Sequence, residues 1–219
     1  MSTLKDKATL GQQLSCPSGE AAKEVGDMMF SSNQTMIYNT IDQLDVNKGQ
    51  NILEVGFGNG RHIPYLFEKE TEISYTGIEI SDAMIAASKE NNIQLSDEKK
   101  IELLKTETNG ILDFDKEAFD ICYSVNTIYF WKNPLRHLIE IYRILKPKGT
   151  FALTFIDRDF GKTLEFTKQG FELPGIEEIK ALLRIVDFKN IQLKEHREAA
   201  ISKDGSNVIR PYYIVTSTK

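Results

Sequence analysis

A chain of 219 residues with 41% apolar and 27% charged side chains is long enough for one well-buried core and has the composition of a globular protein. Its net charge of −5, without a dense Lys/Arg run, disfavours nucleic acid as a partner, because broad phosphate contact needs a clustered basic surface. Two isolated cysteines, Cys16 and Cys122, make neither a disulfide framework nor a zinc motif, and no run reaches the length of a membrane span. The start, MSTLKDKATLGQQLSCPSGE, lacks the apolar core of a signal peptide, so a cytoplasmic protein without a metal is expected.

Residues 1–19 carry little periodicity and are expected to fold over the surface or stay loose. Residues 20–46 read as helical, with Ile37, Ile41 and Leu44 on one stripe. Residues 1–46 together are read as a helical cap within the same domain as 47–219, placed as a lid over the carboxyl edge of a sheet. Strands are predicted at Asn51–Phe57, Ile73–Ile80, Ile101–Glu107, Phe119–Asn126 and Gly149–Ile156. Helical segments separate them. The clearest, Asn133–Leu145, puts Leu135, Leu138, Ile139, Tyr142 and Leu145 on one face. Asn133 is its N-cap, Pro134 opens it, and Pro147 with Gly149 closes it. His137, inside it, is expected at the surface.

The tail breaks the alternation. After a helix at Ile176–Val186 come two strand-like segments, Asn190–Glu198 and Arg210–Lys219, joined by "SKDGSN" with no room for a helix. They should form a hairpin, which makes one strand antiparallel. The reading is an α/β fold: a seven-stranded mixed sheet with helices on both faces.

The chemistry is concentrated after the first strand, in Gly56-Phe57-Gly58-Asn59-Gly60. Glycines there permit a tight turn and let a ligand approach bare backbone, although such a turn can also be ligand-free. Glu79, 19 residues after Gly60, ends the second strand, where a carboxylate can hold two vicinal ribose hydroxyls. A solvated strand-end glutamate is the alternative. Together the two features point to an adenosine-type ligand, without separating a dinucleotide from other adenosyl cofactors.

"ILEVGFGNGRH", "YTGIEISDAMIAASKE" and "FDICYSVNTIYFWKNPLRHLIEIYRILKPKGTFALTFI", in that order over roughly residues 50–156, resemble the class I S-adenosylmethionine-dependent methyltransferases of small-molecule type, with a methyltransferase-11/25-like domain. The resemblance implies a Rossmann-like sheet whose last strand is antiparallel. It also implies S-adenosyl-L-methionine as cofactor and S-adenosyl-L-homocysteine as product. Carried over by position, Gly56, Gly58 and Gly60 would pass under the cofactor, with Glu54 setting the loop and the amino-group pocket. Glu79 would hold the ribose, Ile80 would pack on the adenine, and Glu107-Thr108 would meet the adenine edge. Ser124, Val125 and Asn126 would line the methionine end. Phe57 is bulkier than the family's usual residue and either enters the sheet–helix packing or narrows the pocket. Lys148, in place of the first glycine of "PGG", reads as a harmless surface change.

Methyl transfer from a sulfonium needs alignment more than acid–base chemistry. Candidates for a base or an acceptor contact are His62, Tyr38, Tyr129 and Asp157, with Trp131 as a further pocket aromatic. Cys122 is not followed by proline, and "SVNTIYF" stands where amino-directed nucleic-acid enzymes carry D/N-P-P-Y/F. A small organic acceptor remains, in a monomer or homodimer. Two alternatives stay open: an NAD(P)-dependent oxidoreductase, whose fingerprint places its third glycine one residue later, and a non-catalytic adenosyl-binding regulatory module.

Overall fold

The computed structural model describes residues 7–98, 100–168, 170–201 and 207–219. Among these, one seven-stranded sheet contains β1 (Asn51–Val55), β2 (Ser74–Glu79), β3 (Ile101–Lys105), β4 (Phe119–Val125), β5 (Leu145–Ile156), β6 (Lys189–Ile201) and β7 (Asn207–Thr218). The order across it is β3-β2-β1-β4-β5-β7-β6. Strands β1 to β5 are parallel, and β7 is antiparallel to both β5 and β6. The last strand is thus the antiparallel one, as the hairpin argument requires. The expected turn between β6 and β7, residues 202–206, lies outside the described residues.

The chain winds outward from β1 to β3 and then returns past β1 to β4. Where that reversal parts the loops after β1 and β4, a crevice opens at the carboxyl ends of the strands. Strand β4 lies in the middle and is buried at all but one of its positions, which is why its sequence is nearly continuous in apolar residues. Edge strand β6 instead alternates exposed and half-buried residues.

The helices are α1 (Lys7–Ser15), α2 (Ala22–Ile41), α3 (Ile63–Lys69), α4 (Asp82–Asn91), α5 (Ile93–Asp97), α6 (Pro134–Ile144), α7 (Arg158–Thr163) and α8 (Ile176–Ile185). Helix α6 starts as expected: the Asn133 side chain accepts from the Arg136 N–H at 3.0 Å, and Pro134 follows. Helices α6 and α8 pack together over β5 and β6, while α2 lies over β4, β5 and β6. Two bonds fix the C-terminal half of α2. Thr40 gives its hydroxyl proton to the Met36 carbonyl, so Thr154 of β5 donates to Thr40, 2.6 Å away and buried. Asn39 donates to the Tyr212 hydroxyl of β7 at 2.6 Å. Among the described residues, no helix is long and apolar enough to cross a membrane.

Several strand ends shift by one to three residues, β1 stopping at Val55 and not at Phe57, and two differences are larger. Residues 7–15 are helical despite their weak periodicity, because Leu14 is buried against the rest of the fold and tertiary contact supplies what the local pattern lacks. Strand β5 begins at Leu145 instead of Gly149. It pairs Leu145 with Phe119 and then Thr150 with Ile121, so the intervening "KPKG" is a bulge within the strand, with Lys148 at φ +68°.

Candidate functional site

The crevice is a cavity of about 280 Å³. Its floor is the turn after β1. Gly58 has φ +57°, and a Cβ built there would meet nothing within 4 Å, so the bare backbone faces open cavity. Gly60, at φ +66°, serves a different purpose. A Cβ on it would fall 1.9 Å from the Ser88 hydroxyl, so this glycine lets the loop sit against α4 and does not line the cavity. Gly56 does line it. Phe57 takes the first of its two expected routes: it is buried, with its ring edge in the space that a Cβ on Gly77 of β2 would fill.

Glu79 binds the floor to the second strand. Its carboxylate accepts from the Gly58 N–H at 3.0 Å, the Ile80 N–H at 2.8 Å and the Ser81 N–H at 3.0 Å. Burial raises its pKa above the ordinary carboxylate range, and the three backbone donors work against that rise. An ionised carboxylate offers about four lone-pair sites, so these three bonds leave capacity for a ligand's hydroxyls. Ile80, Glu107 and Thr108 line the same end, and Glu107 is exposed.

Glu54 is placed differently. It does not line the cavity and lies sealed beneath the loop at 2% exposure. One of its oxygens accepts from the Tyr75 hydroxyl at 2.6 Å and the Tyr123 hydroxyl at 2.8 Å, and lies 2.8 Å from His62 Nε2. Burial beside this carboxylate pushes both phenols well above their ordinary pKa, so they remain donors. His62, equally buried, is therefore engaged behind the loop and not in the cavity.

At the carboxyl end of β4, Val125 and the following Asn126 line the cavity, whereas Ser124 lies behind it and donates to the Val55 carbonyl at 2.7 Å. Tyr129 also lines it, but its hydroxyl donates to Asn126 at 2.8 Å and accepts from the Ile156 N–H at 2.6 Å. Burial raises its pKa further, which leaves it a protonated wall residue at neutral pH. Asp157 caps α7 by accepting from the Phe160 N–H at 2.9 Å, with Tyr213 donating to it at 3.0 Å. Tyr38 stacks on Tyr65 with ring centroids 4.0 Å apart. Neither Asp157 nor Tyr38 lines the cavity.

Several lining residues escaped the sequence reading. Phe160, Leu164, Phe166 and Phe171 come from the connection after β5, and Phe171 packs against the rings of Tyr129, Phe130 and Phe166. All four fall in "DFGKTLEFTKQGF", directly after a strand's carboxyl end, and that was the available signal. Val208 and Arg210 reach in from the hairpin. Arg210 is buried and fully engaged, with Glu198, the Asn33 side chain and the Ser32 carbonyl of α2 as its partners. Pro17 and Leu14 also line the cavity, and the Ser81 hydroxyl donates to the Pro17 carbonyl at 2.5 Å. His137, expected at the surface, is buried and lines the cavity.

A methyltransferase-domain family profile matches residues 53–153. An uncharacterised methyltransferase of Bacillus subtilis is 31% identical over 176 residues, covering 76% of this chain and 91% of the relative. Among solved structures, a methyltransferase of Haloferax volcanii, described as putative and in complex with the Trm112 activator, superposes with a TM-score of 0.75 at 16% identity, covering 95% of this chain and 96% of the other. A phosphoethanolamine N-methyltransferase of Haemonchus contortus, solved with S-adenosylhomocysteine, gives 0.70 at 14% identity over 98% of this chain and 60% of that one.

Proposed function

The chain belongs to the S-adenosylmethionine-dependent methyltransferases, and from that premise we propose that it methylates a small, uncharged, largely apolar acceptor by in-line displacement. One observation carries the reading: a single cavity joins the Gly58–Glu79 floor to a wall of Phe160, Phe166 and Phe171. The floor fits the cofactor, because Gly58 leaves open space where any side chain would intrude and Glu79 retains accepting capacity. When bound, S-adenosylmethionine supplies an electrophilic methyl group on a positively charged sulfur.

In this reading Gly56 and Gly58 lie under the cofactor, Glu79 holds its ribose, and Ile80, Glu107 and Thr108 border its base. Val125 and Asn126 flank the methionine end. Glu54, Gly60 and Ser124 act one layer behind, holding the loop in shape. The aromatic wall then orients the acceptor, and orientation alone is worth roughly 7–11 kcal/mol in well-aligned systems. Arg210 is already neutralised by Glu198, so this part of the wall offers no spare cation for a phosphate or carboxylate. His62 and Tyr129 are both engaged, which favours an acceptor atom that carries its lone pair at neutral pH. Of the segment 1–46, the described residues 7–46 act as the cap, pinned through Pro17 to the turn bearing Glu79 and through Thr40 to β5, and exclude water; residues 1–6 lie outside the described residues.

The test combines calorimetric binding of S-adenosylhomocysteine with transfer of labelled methyl to a panel of lipophilic anilines, pyridines and thioethers, run beside glycine and phosphoethanolamine. Transfer to the lipophilic set is expected. Preference for the charged acceptors would overturn the acceptor reading, and tight binding with no turnover across the panel would favour a non-catalytic adenosyl-binding module.

A further inference from the structure

We infer that His137 selects the cofactor's base, accepting at Nε2 a hydrogen bond from the exocyclic amino group of adenine; this rests on the S-adenosylmethionine reading of the cavity. The residue that position alone nominates for the adenine edge, Glu107, is exposed, and a solvated carboxylate discriminates poorly. His137 is a buried polar group of the cavity wall, 7% exposed, and its ring packs on Gly110 of the same loop.

Its protonation follows from one contact. Nδ1 lies 3.0 Å from the Asn133 carbonyl oxygen, which can only accept, so Nδ1 carries the proton and Nε2 presents a lone pair. Among the described residues nothing donates to that nitrogen. Burial lowers the pKa of the ring, which keeps it neutral at physiological pH. Trp131 stacks on the imidazole with centroids 4.7 Å apart and planes 8° from parallel, which fixes the ring's tilt. Gly110, at φ +76°, supplies the room: a Cβ there would lie 2.8 Å from Nδ1. Gly110 belongs to the turn after β3 that also carries Thr108, so the imidazole sits beside the loop that borders the base.

Adenine places an N–H donor at C6, whereas hypoxanthine places a carbonyl there. A fixed acceptor should therefore bind the first and repel the second. The experiment compares S-adenosylhomocysteine with S-inosylhomocysteine by calorimetry on the wild-type protein, His137→Ala and His137→Gln. Wild type is expected to favour the adenosyl compound at least tenfold. His137→Ala should compress the ratio to within threefold, and His137→Gln, which keeps an acceptor, should restore part of it. Equal binding of the two compounds by wild type, or an undiminished ratio in His137→Ala, would overturn the inference. If the alanine variant does not fold, nitrogen-15 NMR of the wild-type imidazole decides: Nε2 should shift on adding S-adenosylhomocysteine, and an unchanged resonance would overturn the proposal. Binding of neither compound to wild type would instead remove the cofactor reading on which it stands.

Discussion

Two buried glutamates lie at the carboxyl ends of neighbouring strands, Glu54 one residue before β1 ends and Glu79 as the last residue of β2. Glu54 takes its bonds from the side chains of Tyr75, Tyr123 and His62 and is closed to the cavity. Glu79 takes its bonds from three backbone N–H groups and borders the cavity. Side-chain donors surround a carboxylate with bulk, so the first is committed to structure. Backbone donors approach from one side and leave the other free, so the second can be desolvated and still meet a ligand. The difference predicts that damage to Glu54 appears in stability and damage to Glu79 in affinity.

The largest effect should come from Glu54→Ala, which strands two phenols and an imidazole in the core. Losing one member of such a buried cluster costs roughly 3–5 kcal/mol. Chemical denaturation should show that loss, and near wild-type stability would mean water replaces the carboxylate. Gly58→Val comes next. It should abolish measurable S-adenosylhomocysteine binding in a protein that still folds, since its Cβ enters cavity and not packed chain. The positive φ at this position should also cost roughly 1–2 kcal/mol of stability. Wild-type affinity in that variant would show the floor to be misplaced. Glu79→Ala should then cost roughly 1–3 kcal/mol of binding, the scale of lost charge-assisted bonds. Calorimetry checks it, and no loss would return Glu79 to the role of a strand-end residue.

The raised pKa of Glu79 gives the same comparison a pH axis. A folded-state pKa above the unfolded value means that the folded chain binds this proton more tightly. Its contribution to cofactor-free stability is thus full below the ordinary glutamate range and is lost as pH rises through the raised value. Cofactor affinity runs the other way, because the ribose needs the ionised acceptor, and it should fall as pH drops through the raised pKa of this carboxyl. Affinity measured against pH for wild type and Glu79→Gln isolates the group. Identical profiles would show that its titration does not matter to binding.

The strand positions, the hairpin and the helix at Pro134 were legible because each rests on local signals: alternation, a turn-rich break, a cap followed by proline. The order of the strands across the sheet is not local and was not legible. The glycine loop and Glu79 were legible as spacing. His137 was not, because helical phase marks a face without saying what covers it, and here Trp131 and a positive-φ glycine from a distant loop do so. The aromatic wall was missed for a related reason. Phe160, Phe166 and Phe171 form a surface only once the connection after β5 folds back over the sheet edge, which no periodicity encodes. Glu54 and Glu79 look alike in sequence, and only the partners across the sheet separate them.

The smallest prediction concerns a residue whose side chain reads as harmless and whose backbone does not. Lys148 is exposed, yet it holds φ +68° inside the β5 bulge, a conformation that costs an L-residue roughly 1–2 kcal/mol. Glycine removes that cost but loses more chain entropy on folding, up to about 1 kcal/mol. Lys148→Gly should therefore stabilise the protein by about 0.5–1 kcal/mol without altering cofactor affinity, because the bulge lies at the opposite end of β5 from the cavity-lining Ile156. Urea unfolding measures the first quantity and calorimetry the second. A loss of stability would mean that the left-handed turn carries no strain, and a change in affinity would mean that the two ends of β5 are coupled.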